Sequence, residues 1–253
     1  MSEGYAFGGR RDNSGPGRAI SATLTASAPR RTAPTREMNR KLLTIALLAV
    51  AAAAFAWVFR DSLGPAAERW QTRGMFVAAE AADFDLGPAT GSDFPGLHAT
   101  YRGRPVTLIE EFSGSNGTVL VALRSVDWCP YCRRQVLQLQ EYKPFFDAAG
   151  IGLVAITYDP PPLQQPFLEE HGVTIPLLSD RDTLSFRTLG ILNGDYGPGD
   201  AEYGIPHPGM IIVDRDGEVA GKLFVRSPVL RVDSSEALRY AREALGLKAP
   251  FAR

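Results

Sequence analysis

The only two cysteines of this 253-residue chain stand together in the tetrapeptide Cys129-Pro130-Tyr131-Cys132. Residues 119–123, shortly before them, are all apolar, which is typical of a strand that is buried on both faces. A thiol attacks a disulfide only as the thiolate, and a helix N-terminus lowers a thiol pKa through its free N–H groups and its dipole. We therefore expect Cys129 to lie exposed at a helix start as the attacking thiolate. Cys132, about one turn further on, would resolve the mixed disulfide.

The first quarter of the chain differs in composition from the rest. Residues 1–41 carry eight basic and three acidic side chains among many small residues and prolines, so we expect a disordered basic N-terminus. Residues 42–59 contain no charge, Gly or Pro, which predicts a transmembrane anchor or the apolar part of a signal sequence. Because basic residues stay on the cytoplasmic side of a membrane, the chain after residue 60 is expected on the other side.

Three alternatives for this leader remain open at the level of sequence. Cleavage at the small-x-small site Ala54-Phe55-Ala56 would yield a secreted protein. A translation start at Met38 would make the following residues a compact signal sequence. An Arg-rich, acid-poor start also fits a mitochondrial transit peptide, although residues 42–59 are not amphipathic.

The remaining residues divide into an expected linker over 60–93, with a helical stretch at 66–82, and a globular domain over 94–250. Apolar segments and turn residues in the domain alternate at lengths typical of α/β crossover units with a parallel sheet. Strands are expected at residues 119–123, 151–157, 175–178, 210–213 and 219–225. Four helices are expected: one that starts at Cys129, one that ends near Gly172, and two that span residues 183–189 and 234–245. Pro144 is expected to kink or break the first of these helices, and Ser234 or Ser235 to cap the last.

Composition also limits the partners. The part after residue 41 is slightly acidic, so no nucleic-acid partner is expected. With both cysteines in one CxxC, an exported domain has no structural disulfide framework, and the pair is free to cycle.

The order of these motifs resembles a known group of proteins. A strand, Trp-Cys-Pro-Tyr-Cys on a helix, a crossover, and a proline loop before Ile-Ile-Val-Asp-Arg-Asp-Gly are similar to a thioredoxin-fold redoxin. That group includes the alkyl hydroperoxide reductase and thiol-specific antioxidant family and the membrane-anchored thiol reductases of the bacterial periplasm. The resemblance covers about residues 90–250. It implies a thioredoxin-like α/β fold with a central mixed sheet flanked by helices, and a periplasmic location.

The same resemblance implies a site for the partner protein. A cis-proline beside the dithiol lies six residues before the Asp of the hairpin turn in that family, and Pro208 matches this position relative to Asp214. His207, the residue before it, would then contact the partner's backbone and could tune the thiolate. Trp128 either packs at the end of the strand or contacts the partner, and the two roles are compatible.

The peroxidase branch of the family differs from this chain in three places. That branch has Thr three residues and Pro seven residues before its attacking cysteine, where this chain has Val126 and Ala122. It also commonly carries Arg where this chain has Pro208. The resemblance therefore favours the reductase branch.

The same cysteines and their neighbours also allow metal-binding interpretations and other roles for the nearby charged residues. A CxxC can be half of a zinc site, yet only His98, His171 and His207 remain to complete four ligands. Two thiolates with the imidazole of His207 would suit Cu(I), which leaves a copper or maturation chaperone open. Arg133 and Arg134 either lie on a solvated helix face or lower the thiol pKa, and Asp127 is either a helix-start charge or a proton carrier.

The sequence thus predicts a thiol:disulfide oxidoreductase with catalytic Cys129 and Cys132 and with Trp128, His207 and Pro208 at the partner. No cofactor or metal is expected. The expected partners are a protein disulfide or dithiol, an upstream thiol reductant and, through residues 42–59, a membrane. The alternative enzyme is a peroxiredoxin-like peroxidase, in which peroxide oxidises Cys129 to a sulfenic acid that Cys132 then closes.

Overall fold

The computed structural model describes residues 36–58, 60–107 and 109–248. Most of the expected basic N-terminus, residues 1–35, lies outside the described residues, as do Phe59 at the end of the expected anchor, Leu108, and residues 249–253. The chain divides into two compact units, with the boundary between Val58 and Phe59. The first unit contains helix α1, Arg36–Val58.

Helix α1 contains the expected apolar segment. Its part from Met38 to Val58 is 21 residues long and is exposed along its whole length. By length and composition it is the one helix in the described part of the chain that could cross a membrane. A signal sequence near an N-terminus has the same properties.

The second unit is an α/β domain. Its helices are α2 (Arg60–Gln71), α3 (Pro130–Ala148), α4 (Pro161–His171), α5 (Leu184–Thr188) and α6 (Ser234–Ala244). Its strands are β1 (Phe76–Val77), β2 (Ala99–Tyr101), β3 (Arg104–Val106), β4 (Gly117–Ala122), β5 (Ile151–Thr157), β6 (Leu177–Ser179), β7 (Gly209–Asp214), β8 (Val219–Phe224) and β9 (Arg231–Val232).

Seven strands form one mixed sheet in the order β3-β2-β6-β5-β4-β7-β8. Strands β4, β5 and β6 are parallel, whereas β7 runs antiparallel to β4 and β8 antiparallel to β7. Every residue of β4 is buried, as its apolar run predicts. Successive β4 side chains alternate between two cores: Val119 and Val121 pack on the side that holds the two cysteines, and Leu120 packs on the other. The expected mixed sheet with flanking helices is confirmed.

Residues 75–82 do not form the expected linker or continue the expected helix over 66–82. Helix α2 ends at Gln71, and Gly74 follows in the left-handed region with φ +68°. Strand β1 then pairs in parallel with β9, and Met75 and Ala79 are buried. Burial of these apolar side chains on the domain explains why the chain turns back instead of extending as a helix.

Two further details differ from the sequence expectations. Pro144 does not break helix α3, which continues to Ala148 with Phe146 fully buried in the final turn. Packing of that last turn on the core outweighs the hydrogen bond that proline removes. The cap of α6 is Asp233, whose carboxylate accepts from Ser235 N, and not Ser234 or Ser235.

Candidate active site

The two cysteines meet where β4 gives way to α3. Cys129 is the N-cap residue of α3, Pro130 is its first residue, and the Sγ atoms of Cys129 and Cys132 lie 2.8 Å apart. Cys129 Sγ also accepts from Cys132 N at 3.3 Å, as an N-cap side chain does. Both sulfurs are free thiols. A two-residue spacer over the first helical turn therefore brings the sulfurs close enough to join and separate.

The loop between β4 and α3 is held by buried polar groups. Ser125 Oγ accepts from Asp127 N and Trp128 N, at 3.0 and 3.2 Å. Asp159, which follows β5, accepts from Val126 N at 2.8 Å and is 1% exposed. Burial raises the pKa of the Asp159 carboxyl above its ordinary value. This network fixes the direction from which the chain enters α3.

A guanidinium lies against each sulfur. Arg124 donates to Cys129 Sγ at 3.4 Å, and Arg231, from β9, donates to Cys132 Sγ at 3.5 Å. Among the described residues, these two guanidiniums are the cations hydrogen-bonded to the dithiol. Arg133, considered for this role from sequence, instead lies over the Phe167 ring and 3.6 Å from Glu68, and Arg134 is exposed.

The structure corrects the expectation that Cys129 is exposed. Both cysteines have an exposed fraction of 0%. Cys129 does sit at the helix start, but the side chains of the preceding loop, Arg124 among them, close over it. The N-terminus of a helix is exposed unless a loop packs over it. The sequence alone does not indicate whether a loop does so.

The groups around the pair also shift the pKa values of the two thiols. The hydrogen bond with Cys132 and burial raise the pKa of the Cys129 thiol. Burial raises the pKa of Cys132 as well, but the hydrogen bond from Cys129 and the Arg231 guanidinium outweigh it, so that the pKa of Cys132 is lowered. Because the two thiols interact strongly, their protons leave in two steps that belong to the pair. The Arg231 guanidinium beside Cys132 Sγ favours negative charge on this pair.

Trp128 lies at the rim of the site. Its ring is 41% exposed, its Nε1 donates to Tyr158 Oη at 2.9 Å, and the Arg124 guanidinium lies 5.6 Å from the ring centre. The indole is thus partly covered by Arg124 and partly exposed to solvent. Both roles considered for Trp128 remain compatible with this position.

His207 and Pro208 occupy the segment just before β7. Pro208 is buried, and the next residue, Gly209, pairs with Ala122 at the end of β4. Pro208 thus lies at the same edge of the sheet as the loop to the dithiol. His207 is half-buried, donates its N–H to Ile191 O at 2.8 Å, and packs edge-on against Phe84 at 5.3 Å. Burial lowers the pKa of His207.

The structure brings the sulfurs of Cys129 and Cys132 into direct contact, and Arg124 contacts both Cys129 Sγ and the Trp128 ring. No hydrogen bond joins His207 to either sulfur within the described residues, and the roles of His207 and Pro208 remain predictions. No group of three or more His, Cys, Asp or Glu side chains in the described part of the chain is arranged to hold a metal ion.

Sequence reasoning missed Arg124, Arg231 and Tyr158. Arg124 had a signal, because a cation directly after a buried strand and five residues before Cys129 lies at the same sheet edge. Tyr158 directly follows β5, the parallel neighbour of β4, and could have been placed at this sheet edge by the same argument. Arg231 had no local signal, since it is 99 residues from the sulfur that it contacts.

The chain is similar to proteins whose names describe redox activities. It is 26% identical over 127 residues to alkyl hydroperoxide reductase E of Mycobacterium tuberculosis, covering 50% of this chain and 79% of the relative. It is 25% identical over 185 residues to thiol-disulfide oxidoreductase ResA of Geobacillus kaustophilus, covering 73% and 87%.

Solved structures share the fold. A peroxiredoxin-like protein of Aquifex aeolicus aligns with a TM-score of 0.53 at 20% identity, covering 63% of this chain and 90% of that one. Peroxidoxin BcpB of Mycobacterium tuberculosis aligns with a TM-score of 0.52 at 18% identity, covering 63% and 98%. The expected thioredoxin-like fold is confirmed by these matches.

The strongest assignment comes from the family comparison. Residues 77–222, more than half of the chain, match the AhpC/TSA family. This range includes the sheet strands β2 to β7 and both cysteines. The fold, the paired thiols and the named relatives agree with a thioredoxin-fold redox enzyme. This chain is therefore a member of the AhpC/TSA family.

Proposed function

We propose that this protein is a thiol:disulfide oxidoreductase that exchanges disulfides with partner proteins through Cys129 and Cys132. The observation that carries the proposal is the dithiol itself: two sulfurs 2.8 Å apart at the start of α3, each against a guanidinium. A pair that can close on itself within one helical turn suits two-electron exchange with another dithiol.

The exchange proceeds by two displacements. The proton of Cys129 passes to the Cys132 thiolate across the 2.8 Å between the sulfurs, which leaves Cys129 as the nucleophile. Cys129 Sγ bonds one sulfur of the partner disulfide, and the other partner sulfur leaves as a thiolate and takes the proton from Cys132. Cys132 Sγ then attacks Cys129 Sγ and releases the second partner sulfur. Two electrons move from the dithiol to the partner, and the reverse sequence oxidises a partner dithiol.

Access to Cys129 requires movement of its cover. The Arg124 guanidinium contacts both Cys129 Sγ and the Trp128 ring, so displacement of that side chain uncovers the sulfur beside a partly exposed indole. Trp128, with His207 and Pro208 at the same sheet edge, would then hold the partner backbone. An upstream thiol reductant or oxidant restores the starting state.

Trapping of a covalent complex tests the resolving role. We expect the Cys132→Ser variant of the full-length chain to accumulate mixed disulfides at Cys129 that dithiothreitol releases. The matched Cys129→Ser variant keeps one thiol but lacks the nucleophile, and we expect it to trap no partner. Equal trapping by both variants, or undiminished insulin-disulfide reduction by Cys132→Ser, would contradict the assigned roles.

The second candidate is a peroxidase. Burial of both sulfurs with a guanidinium beside Cys129 favours it, because a small hydroperoxide reaches such a site more easily than a protein disulfide. In that reaction, Cys129 attacks one peroxide oxygen, water or an alcohol leaves, and Cys132 displaces the hydroxyl of the sulfenic acid as water. Stopped-flow mixing of the reduced protein with hydrogen peroxide and with a disulfide substrate compares the rates of the two reactions. Faster oxidation by peroxide would favour the peroxidase over the thiol:disulfide oxidoreductase.

We propose further that α1 anchors the protein in a membrane and that the redox domain lies on the extracytoplasmic, periplasmic side. Support comes from the length and composition of Met38–Val58 and the basic residues before it. Alkali-resistant membrane association, together with protease digestion of the domain only after opening of the outer compartment, is the expected result. An intact mass that lacks residues 1–56 would instead show a cleaved signal.

A further inference from the structure

Arg231 is a buried cation without a carboxylate partner. Its side chain is 2% exposed, and no Asp or Glu lies within ion-pair distance of it in the described ranges of the chain. One terminal nitrogen donates to the carbonyls of Pro228 and Leu230, at 3.1 and 2.6 Å. The other donates to Cys132 Sγ, and Nε has no partner.

A buried charge needs a counter-charge or a full set of hydrogen bonds, because its transfer out of water costs several kcal/mol. Two carbonyl oxygens supply part of that set. Within contact of the guanidinium, the group that can carry a negative charge is the sulfur of Cys132, and only as a thiolate. The pairing of β1 with β9, through Arg231 N to Met75 O at 2.8 Å, holds the arginine in this position.

The two redox states therefore differ at Arg231. In the reduced state, a thiolate faces the guanidinium. In the disulfide, neither sulfur carries charge, and the buried guanidinium loses its anion. A reduced state that is selectively stabilised makes a CxxC pair a stronger oxidant.

We propose that Arg231 is the counter-ion of the reduced dithiol and that it makes the Cys129–Cys132 disulfide oxidising, so that the pair favours accepting electrons. This inference deepens the proposed function and rests on a reversible disulfide at these residues. Reduction takes up two electrons from a dithiol reductant, breaks the Sγ–Sγ bond and binds one proton, because one sulfur remains a thiolate beside Arg231.

Other titratable groups on the surrounding elements do not replace this role. Arg124, after β4, is hydrogen-bonded to Cys129 Sγ and also interacts with Cys132, but it is less buried than Arg231 and is shared with the Trp128 ring. His207, before β7, has its pKa lowered by burial and is neutral at neutral pH. Asp159, after β5, is engaged by Val126 N and has its pKa raised by burial.

The redox equilibrium of the full-length protein with glutathione tests the proposal. We expect Arg231→Met to shift the equilibrium constant toward the disulfide at least tenfold, which is about 30 mV for two electrons. Arg231→Lys keeps the charge and should recover most of the shift. Arg226→Met removes an exposed arginine of the same segment that contacts the Phe84 ring and no sulfur, and it is the matched control. A shift smaller than tenfold for Arg231→Met, which is the effect of one pKa unit of a thiolate, would overturn the proposal.

A second measurement needs no variant. One proton per two electrons makes the constant of the protein's own half-reaction, measured as its midpoint potential, change tenfold per pH unit near neutral pH, or about 30 mV, whereas two protons make it change hundredfold, or about 59 mV. The smaller slope supports a thiolate held by Arg231, and the larger slope overturns it. If Cys129 and Cys132 form no disulfide at any glutathione ratio, the proposed function itself is wrong. If they form a reversible disulfide but show the larger slope, only the inference about Arg231 is wrong.

Discussion

The two sulfurs of the dithiol are held by regions of different origin. The side of Cys129 is built from Arg124 and Trp128, in the loop before α3, and from Asp159, which follows the neighbouring strand β5. The side of Cys132 depends on Arg231, from a short strand that pairs with β1 outside the central sheet. The position of Cys129 thus depends on the loop before α3 and the strand beside it. The charge of Arg231, which faces Cys132, is instead brought to the site by packing between distant parts of the chain.

Removal of the loop anchor is the strongest test of the local side. Asp159→Ala leaves Val126 N–H buried without an acceptor, and we expect a loss of about 2 kcal/mol in the free energy of unfolding. Asp159→Asn keeps an acceptor oxygen and should lose less. Urea unfolding of the full-length chain measures both. If the regions are independent, the thiolate absorbance of Cys132 in the folded Asp159→Asn protein titrates as in the unmodified one.

The remote side has its own anchor in Asp233, which follows β9. Its carboxylate accepts from Ser235 N at the start of α6 and from Gln138 Nε2, at 2.8 and 2.6 Å. Asp233→Ala should lower the free energy of unfolding by about 1 kcal/mol, as is usual for an N-cap. Asp233→Asn is the control because Asn also caps helices well. An alanine variant as stable as the asparagine variant would remove Asp233 from the support of β9.

Lowering the pH should change the contributions of Asp159 and Asp233 to the free energy of unfolding in opposite directions. Burial raises the pKa of Asp159 in the folded protein, so its contribution to stability is greatest below the unfolded value of about 3.9 and declines as pH rises through the folded value. For Asp233, burial raises the pKa but the hydrogen bonds from Ser235 and Gln138 lower it further, giving a lowered value overall. Its contribution is present above the unfolded value and is lost as pH falls through the folded one.

Unfolding free energies measured between about pH 2 and 6 resolve this contrast. The difference between the unmodified protein and Asp159→Asn should grow in favour of the unmodified protein as pH falls. The difference from Asp233→Asn should shrink over the same range. If both differences in unfolding free energy change in the same direction with pH, the contrast between Asp159 and Asp233 is wrong.

The smallest effect is expected at the rim of the local side. Trp128 Nε1 and Tyr158 Oη form a hydrogen bond at 2.9 Å, but the indole is partly exposed. A double-mutant cycle of Trp128→Phe and Tyr158→Phe should give a coupling of about 0.5 kcal/mol in the free energy of unfolding. A coupling near zero would mean that water replaces this bond, and that Trp128 is free to turn toward a partner.

Much of the sheet could be predicted because its signals are local. The apolar run of β4, the alternation of strands and helices through residue 189, and the Asp-Arg-Asp-Gly turn between β7 and β8 each depend on a few neighbouring residues. Gly172, with φ +59°, ends α4 as predicted because its left-handed conformation favours glycine. The helix through Pro144 and the cap at Asp233 were missed because packing of α3 and α6 chose between nearly equal local options.

The sequence by itself determined that two thiols share the first turn of a helix at the end of a buried strand, because a two-residue spacer and an apolar run act over short distances. Only the tertiary structure decided that Cys129 is covered and that Arg231 faces Cys132. The position of Arg231 depends on the pairing of β1 with β9, between segments more than 150 residues apart. Contacts of that kind are selected by the burial of the whole domain, and no local pattern in the chain encodes them.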